Sequence, residues 1–476
     1  MEKDDFRQAA YAHADWIAGY FEQIRSFPVL PAIKPGELSS RLPPTAPEQG
    51  EPLENIFQDF QSTIFPALTL WNHPRFFAWF SISSTPPSIL ADFLAATLNV
   101  NAMLWKSSPA ATELEQVTLS WLRQWLGLSD QHFGIIYDTA SVGVMQAIGA
   151  AREFVDPGCR THGMRPGLIV YLSEHTHSSS EKAAITLGFG QQNIRKIPVD
   201  EQFRMRPDAL ARVIASDISA GRRPCCIVAS IGSTSTTAID PVTEIAAIAE
   251  RHNVWLHLDA AYGGSAAIVP EMRYILAGVE RAHSFILNPH KWLYVSVDCS
   301  VLYTRYPDIL RRASSLSAEY LRTAEDDHAV NYMDYGVQLG RRFRALKLWY
   351  VFRYYGREGI IAMLRESLRL AQVLKELIES DDRFELSAPV PLSLACFRLR
   401  ASNASNEQLL AAINASGKAF LSHTVLNGHF VLRLAIGNFQ TSEQDILDTW
   451  DLIKETAEHL TAQVDPGGRA LAGAEL

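Results

Sequence analysis

Between about residues 130 and 290, short apolar runs alternate with stretches of helical periodicity. The runs Gly134-Ile135-Ile136-Tyr137, Leu168-Ile169-Val170-Tyr171-Leu172, Cys226-Ile227-Val228-Ala229, Val254-Trp255-Leu256-His257-Leu258 and Ser284-Phe285-Ile286-Leu287 read as buried strands. Helical patterns such as 208–220 and 241–252 separate most of them. A strand that is apolar on both faces needs cover on both faces, which predicts an α/β fold with a mostly parallel sheet between helical layers. In such sheets ligands sit beyond the carboxyl ends of the strands, so the residues just after each run are the ones to search for chemistry.

The flanking regions have a different texture. Phe6, Ala10, Ala14, Ile17, Tyr20, Phe21 and Ile24 recur at helical spacing, and Pro28, Pro31, Pro35, Pro43, Pro44, Pro47 and Pro52 end that helix. A second amphipathic stretch covers 53–68. The predicted arm, residues 1–70, must bury its apolar stripe on its own chain or on a partner subunit. A large domain over 71–350 follows. Beyond it come a long helix over 346–380, strands near 383–386 and 392–399, a helix over 407–415, strands over 420–426 and 429–436, and a last helix over 442–460. These predict a small α+β domain over 351–464, with a frayed tail over 465–476.

Composition narrows the class. At 476 residues, 47% hydrophobic and 20% charged, wholesale disorder is excluded. Polar residues interrupt every apolar run before a membrane-spanning length, so no membrane association is expected. The start, Met-Glu-Lys-Asp-Asp, lacks the pattern of a signal peptide, and a cytoplasmic location is expected. A net charge of −9 without a basic run argues against a nucleic-acid partner. Five cysteines without CxxC spacing predict neither a disulfide framework nor a cysteine zinc site, and no metal is expected.

Four segments at strand ends carry chemistry, and a fifth, after the run 226–229, adds hydroxyls. Lys291, in Asn288-Pro289-His290-Lys291-Trp292, stands among apolar neighbours, where a charged amine is costly and a Schiff-base nucleophile is one use for it; a lysine snorkelling to the surface is the other. Asp259 ends an apolar run and is followed by Ala260-Ala261-Tyr262-Gly263-Gly264. A pyridinium N–H would partner such a carboxylate, although a helix cap or a metal ligand would fit an isolated aspartate equally well. Asp138-Thr139-Ala140-Ser141-Val142-Gly143 opens a helix, where free N–H groups suit phosphate, and no Walker or GxGxxG motif competes. Ser173-Glu174-His175-Thr176-His177 offers two histidines, for a metal or, because no carboxylate or cysteine stands at ligand spacing, as an imidazole stacked on an aromatic cofactor, and Ser230-Ile231-Gly232-Ser233-Thr234 supplies hydroxyls or is simply a polar loop. Together the four read as pyridoxal phosphate chemistry.

In combination, Asn288-Pro289-His290-Lys291-Trp292, His177-Ser178-Ser179, Asp259-Ala260-Ala261-Tyr262 and Leu339-Gly340-Arg341-Arg342-Phe343-Arg344 resemble the group II pyridoxal-phosphate-dependent amino-acid decarboxylases. The nearest likeness is to those acting on aromatic L-amino acids, and it runs from Phe6 to about residue 460. The resemblance implies a fold type I enzyme with a mostly parallel seven-stranded sheet in the large domain. It also implies an obligate homodimer with a swapped arm and sites at the interface. Pyridoxal 5'-phosphate is the implied cofactor, with Lys291 as its Schiff-base lysine and His290 alongside. Asp259 would keep the ring nitrogen protonated. His177 would stack on one ring face, with Ala261 under the other. Ala140, Ser141 and Asn288 would hold the phosphate with Thr139 nearby, and Thr234 would sit near the ring hydroxyl. The family's mobile loop carries a tyrosine that protonates the α-carbon, matched here to Tyr332. The polar stretch 323–328 fits a lid that excludes water.

The same resemblance places Trp71, Trp79, Phe80, Ile82 and Ser296, with Met103 from the partner subunit, around the substrate, and this aromatic lining favours an aromatic amino acid. Ile82, Met103 and Ser296 depart from the hydroxyl residue, phenylalanine and asparagine of mammalian DOPA decarboxylases. Decarboxylation to an amine and carbon dioxide is therefore expected. The alternatives are an aromatic acetaldehyde synthase, which differs mainly by losing the loop tyrosine or the stacking histidine, and a decarboxylase of a non-aromatic amino acid. A transaminase or a cofactor-free scaffold would suit these residues less well.

Overall fold

The computed structural model describes residues 3–463 except 317–320, 322, 326 and 327. The expected tail over 465–476, and Asp326 and Asp327 of the expected lid, lie outside the described residues. The chain divides into two compact units: Ile82–Gln372 with Ala388–Ala395, and Met1–Ser81 with Val373–Ser387 and Cys396–Leu476.

The larger unit is built on strands β1 (Phe133–Tyr137), β2 (Leu168–Ser173), β3 (Ile194–Ile197), β4 (Arg223–Ser230), β5 (Trp255–Asp259), β6 (Ser284–Leu287) and β7 (Ser300–Thr304). They form one seven-stranded sheet in the order β1-β7-β6-β5-β4-β2-β3. Every neighbour pairing from β3 to β6 is parallel, and β7 runs antiparallel to both β6 and β1. The expected α/β sheet is thus present, and the reversal at β7 has a simple cause. The chain returns from Leu287 to Ser300 without a crossover helix, and a parallel strand would need one. Every residue of β2, β5, β6 and β7 is buried. The helix Ala140–Val155 lies against β4, β5, β6 and β7. At Gly143 that helix comes so close to β6 that an added Cβ would stand 2.2 Å from Ile286 Cδ1.

The helix predicted over 346–380 is Ala345–Glu379, interrupted at Gly356, whose φ of 63° is non-helical. The boundary expected at residue 350 therefore does not mark a change of unit. Phe352 packs on Trp125, with ring centroids 4.5 Å apart, and Ser367 bonds the Tyr294 hydroxyl, so this helix stays with the larger unit to Gln372.

A second sheet, most of it in the smaller unit, joins β8 (Phe384–Leu386), β9 (Leu394–Leu399), β10 (Ser422–Leu426) and β11 (His429–Ala435) in the order β10-β11-β9-β8. The predicted arm does not end at residue 70 either; it belongs to this unit through Ser81. Trp16 on the helix Lys3–Gln23 meets Phe57, Phe60 and Phe65 edge-on, and Arg25 and Arg75 both bind the Asp445 carboxylate, at 2.9 and 3.0 Å. The second amphipathic stretch is irregular: α-helix over Leu53–Asp59, a π turn over Phe60–Ile64, and a 3-10 turn over Phe65–Ala67 that holds Pro66.

Candidate active site

The carboxyl ends of β4, β5 and β6 are laced together by backbone bonds. Ile231 N–H donates to Asp259 C=O at 2.9 Å, Ala260 N–H to Ile286 C=O at 3.0 Å, and Asn288 N–H to Ala261 C=O at 3.0 Å. The lacing depends on glycine, because a Cβ on Gly263 would lie 2.5 Å from the Ile231 oxygen. Asp259 closes β5 and is buried, and one of its carboxylate oxygens accepts the Ala261 N–H at 3.1 Å.

Lys291 sits on the four-residue turn Pro289–Trp292, which Asn288 opens. Burial pushes its amine below the usual lysine range, against the opposing charge of Asp259. His177 opens the helix Ser178–Thr186. Burial lowers its pKa too, Asp259 opposes that shift, and Lys291 adds to it. Amine, carboxylate and imidazole thus feel one another's charge. The His177 Nδ1 accepts the Ser179 N–H at 3.2 Å and lies 2.8 Å from the Ser179 hydroxyl. With Nδ1 accepting, the neutral ring carries its proton on Nε2, as inferred from this bonding.

Across β6, the helix Ala140–Val155 starts after Thr139 without a side-chain cap. Thr139 N–H is taken by Asp138 Oδ1 at 2.7 Å, while the first-turn N–H groups at Ala140, Ser141 and Val142 have no acceptor within the helix. Asn288 is buried beside this end of the sheet, its amide oxygen fixed by the Ser300 hydroxyl at 2.5 Å. Thr234 lies partly buried in the loop after β4, in which the Ser233 and Thr236 hydroxyls bond each other at 3.2 Å. As a donor set, the group offers an amine for an aldehyde, a carboxylate for a ring N–H and a small residue, Ala261, beside the carboxylate. It also offers an imidazole and a positive helix end suited to phosphate. Pyridoxal phosphate carries all the complementary groups, so the residues fit it.

The other expected site residues have partners of their own. The His290 Nδ1 accepts the Cys299 N–H at 3.0 Å. Ser296 uses its hydroxyl on Asp92 and Ser88, the latter at 2.8 Å. Met103 packs in a small cluster with Leu104, Leu321 and Met333, and Ile82 is partly buried. In the smaller unit, Trp71 stacks on Trp79 with centroids 5.2 Å apart, and Phe80 lies under Arg433.

Tyr332 is the main correction. It is 2% exposed and packed in the core against Phe133, which begins β1, and against Tyr335. The Arg341 guanidinium covers its ring at 4.6 Å. β1 points the same way as β6, so the start of β1 lies at the opposite end of the sheet from Asp259 and Lys291. Arg341, present in the motif Leu339–Arg344 but given no role there, binds Glu115 and the carbonyls of Ile136 and Ala102, and Lys347, which no motif marks, is buried against Asp92 at 3.2 Å. The available signal was a lone lysine between Leu346 and Leu348-Trp349 in an apolar helix.

Burial holds His257 and His283 at about 4 and His290 at about 3, well below the usual histidine value. The unfolded chain titrates these rings near 6.5, so below that pH it binds more protons than the native state. Their contribution to stability is complete above about 6.5 and is lost as the pH falls toward 4. Urea unfolding midpoints at pH 7.5, 6 and 5 are expected to fall in that order; equal midpoints would contradict the neutral buried rings.

The family model described as the pyridoxal-dependent decarboxylase conserved domain matches residues 35–400. The chain is 38% identical to tryptophan decarboxylase 2 of Oryza sativa subsp. japonica, over 96% of this chain and 95% of that protein. It is also 38% identical to a phenylacetaldehyde synthase of Arabidopsis thaliana, over 97% of each. Among solved structures, Oryza sativa TDC with PLP and tryptamine superposes with a TM-score of 0.93 at 36% identity, covering 97% of this chain and 99% of that one. The chain therefore belongs to the pyridoxal-dependent decarboxylases, carboxy-lyases that act on amino acids with pyridoxal phosphate as cofactor.

Proposed function

We propose that this enzyme decarboxylates an aromatic L-amino acid to its amine and carbon dioxide. The observation that carries the proposal is the electrostatic grouping of Lys291, Asp259 and His177 at the ends of β5, β6 and β2. When bound, pyridoxal phosphate supplies an aldehyde for the amino group and an electron-withdrawing ring that takes up the electron pair left by carbon dioxide. Lys291 would hold the aldehyde, and its depressed pKa favours the neutral, nucleophilic amine. Asp259 would keep a proton on the ring nitrogen, and the Ala261 N–H fixes the carboxylate for that task. His177, oriented by Ser179, would stack on the ring; Ala261 would leave room on the other face. Thr139, Ala140, Ser141 and Asn288 would receive the phosphate, and Thr234 the ring hydroxyl.

Names of relatives divide between amine and aldehyde formation at equal identity, so residues have to decide between them. The present His177 favours the amine. The loop tyrosine is reassigned. Between Thr304 and Leu339, Tyr306 stacks on His283, Tyr335 packs on Phe133, and Tyr332 is buried under Arg341. Tyr320, outside the described residues, is the remaining tyrosine of that stretch and takes the role of proton donor to the α-carbon. Tyr320→Phe is expected to lower amine formation roughly 10²-fold or more, the range for a lost proton donor, with aldehyde, ammonia and hydrogen peroxide taking the amine's place in the presence of dioxygen, which serves as the two-electron oxidant. Tyr332→Phe is expected to keep the wild-type product ratio. Chromatography of the products decides, and the reverse pattern would restore Tyr332.

An aromatic substrate is supported by the aromatic residues Trp71, Trp79 and Phe80 and by the names of the relatives. Within the larger unit, the helix Pro86–Leu98 leaves Leu90, Phe93, Leu94 and Leu98 exposed at 58, 54, 41 and 60%. An apolar face of this kind supports a homodimer, with the partner's copy of residue 103 near the substrate. Among the described residues no helix is long and apolar enough to cross a membrane. All five cysteines are buried and none is in a disulfide, which suits a reducing cytoplasm.

A further inference from the structure

The segment from Asn288 to Ser300 runs out from β6, carries Lys291, and returns as β7. Its two halves are clamped together next to the lysine: His290 N–H donates to Cys299 C=O at 3.2 Å, and Cys299 N–H donates to the His290 ring at 3.0 Å. The returning half is fixed from outside. Ser296 N–H donates to the Ser88 hydroxyl at 2.7 Å. Asp298, next to the clamp, binds Arg344 at 2.8 Å and lies 3.6 Å from Arg342 and 3.9 Å from Lys347. Arg344 and Lys347 are three residues apart where the helix Ala345–Glu379 begins, so they reach toward one place. Asp92 shares Lys347 at 3.2 Å. Burial works to raise the Asp298 carboxyl, yet Arg344 and Lys347 hold it below its ordinary value, so it stays charged. The motif Leu339–Arg344 thus divides its labour: Arg341 ties β1 to the 101–115 region, and Arg344 grips the loop that carries Lys291.

We propose that Asp298 is a positioning residue for Lys291, acting through the His290–Cys299 clamp to hold the amine opposite Asp259. The proposal rests on the assignment of Lys291 as the cofactor lysine. A one-sided loss of the Asp298–Arg344 pair leaves a buried charge unmatched beside the clamp, and a lysine displaced by a fraction of an ångström captures the aldehyde poorly.

The test compares two substitutions that each remove one carboxylate charge from a buried arginine pair without changing size: Asp298→Asn, and Glu115→Gln in the Arg341 pair. Purified full-length protein is titrated with pyridoxal phosphate, and the dissociation constant, the rate of appearance of borohydride-reducible absorbance and the thermal midpoint are recorded. Both variants are expected to melt earlier. Only Asp298→Asn is expected to weaken cofactor binding, roughly tenfold to hundredfold, the scale on which a remote misplacement acts. Arg344→Lys, which keeps charge but loses the planar fork, is expected to weaken it in the same direction and serves if Asp298→Asn does not fold. A dissociation constant equal to wild type in the folded Asp298 or Arg344 variant, or an equal loss in Glu115→Gln, overturns the proposal. Lys291→Ala is run alongside: reducible absorbance retained there overturns the lysine assignment itself, whereas its loss there with normal binding in Asp298→Asn overturns only the positioning role.

Discussion

Lys291→Ala is expected to lose amine formation by at least roughly 10³-fold and to lose the cofactor absorbance that borohydride fixes to the protein. Two properties make this the largest expected effect. The amine is held below the ordinary lysine range by burial, so it is poised as a nucleophile, and it shares its surroundings with the Asp259 carboxylate and the His177 ring. Added primary amines would restore part of the turnover if the loss is chemical and not a collapse of the loop. Reducible absorbance retained in the variant would place the cofactor on another residue.

Asp259→Asn is expected to cost roughly 10²- to 10³-fold in turnover, the scale for removing one preorganised electrostatic partner. The substitution keeps the size, and an amide oxygen still accepts the Ala261 N–H, so the backbone lacing of β4, β5 and β6 survives. What goes is the negative charge that would keep the ring nitrogen protonated and that also supports the charged form of Lys291. The sign on the lysine follows directly: burial already lowers its pKa, Asp259 opposes, and without the carboxylate the value drops further. The pH at which the lysine–cofactor absorbance changes should therefore move downward in Asp259→Asn. Turnover within about threefold of wild type would show that the carboxylate is not the ring's partner, because so small a change lies below the expected electrostatic range.

The parts of this fold that were legible from sequence are those whose burial is two-sided. β2, β5 and β6 are buried at every residue, and their apolar runs mark them to within a residue of their ends. β3 is an edge strand reading Ile-Arg-Lys-Ile, and its two charged residues hid it. β7 was hidden differently: its Ser-Val-Leu-Tyr-Thr follows the lysine loop directly, and nothing local says that the chain turns back antiparallel. The same contrast holds in the site. Asp259 ends a strand and Lys291 and His177 each follow one, so a rule about strand ends finds them. Tyr332 went astray because its burial is tertiary. Asn331-Tyr332-Met333-Asp334-Tyr335 has no periodicity to reveal an inside face, and Arg341 and Phe133, which enclose the ring, come from elsewhere in the chain. The pairing of Asp298 with Arg344 and Lys347 is hidden for a related reason: each residue looks like a surface charge until the helix at Ala345 is set against the loop.

The most direct test incubates the purified holoenzyme separately with L-tryptophan, L-tyrosine, L-phenylalanine, L-DOPA and L-glutamate. Released carbon dioxide, amine, aldehyde and ammonia are then quantified from the same reactions. The account predicts amine and carbon dioxide in equal amounts from at least one aromatic substrate, with little aldehyde or ammonia and no turnover of glutamate. Aldehyde and ammonia in place of amine from every aromatic substrate, or turnover confined to glutamate, would contradict it.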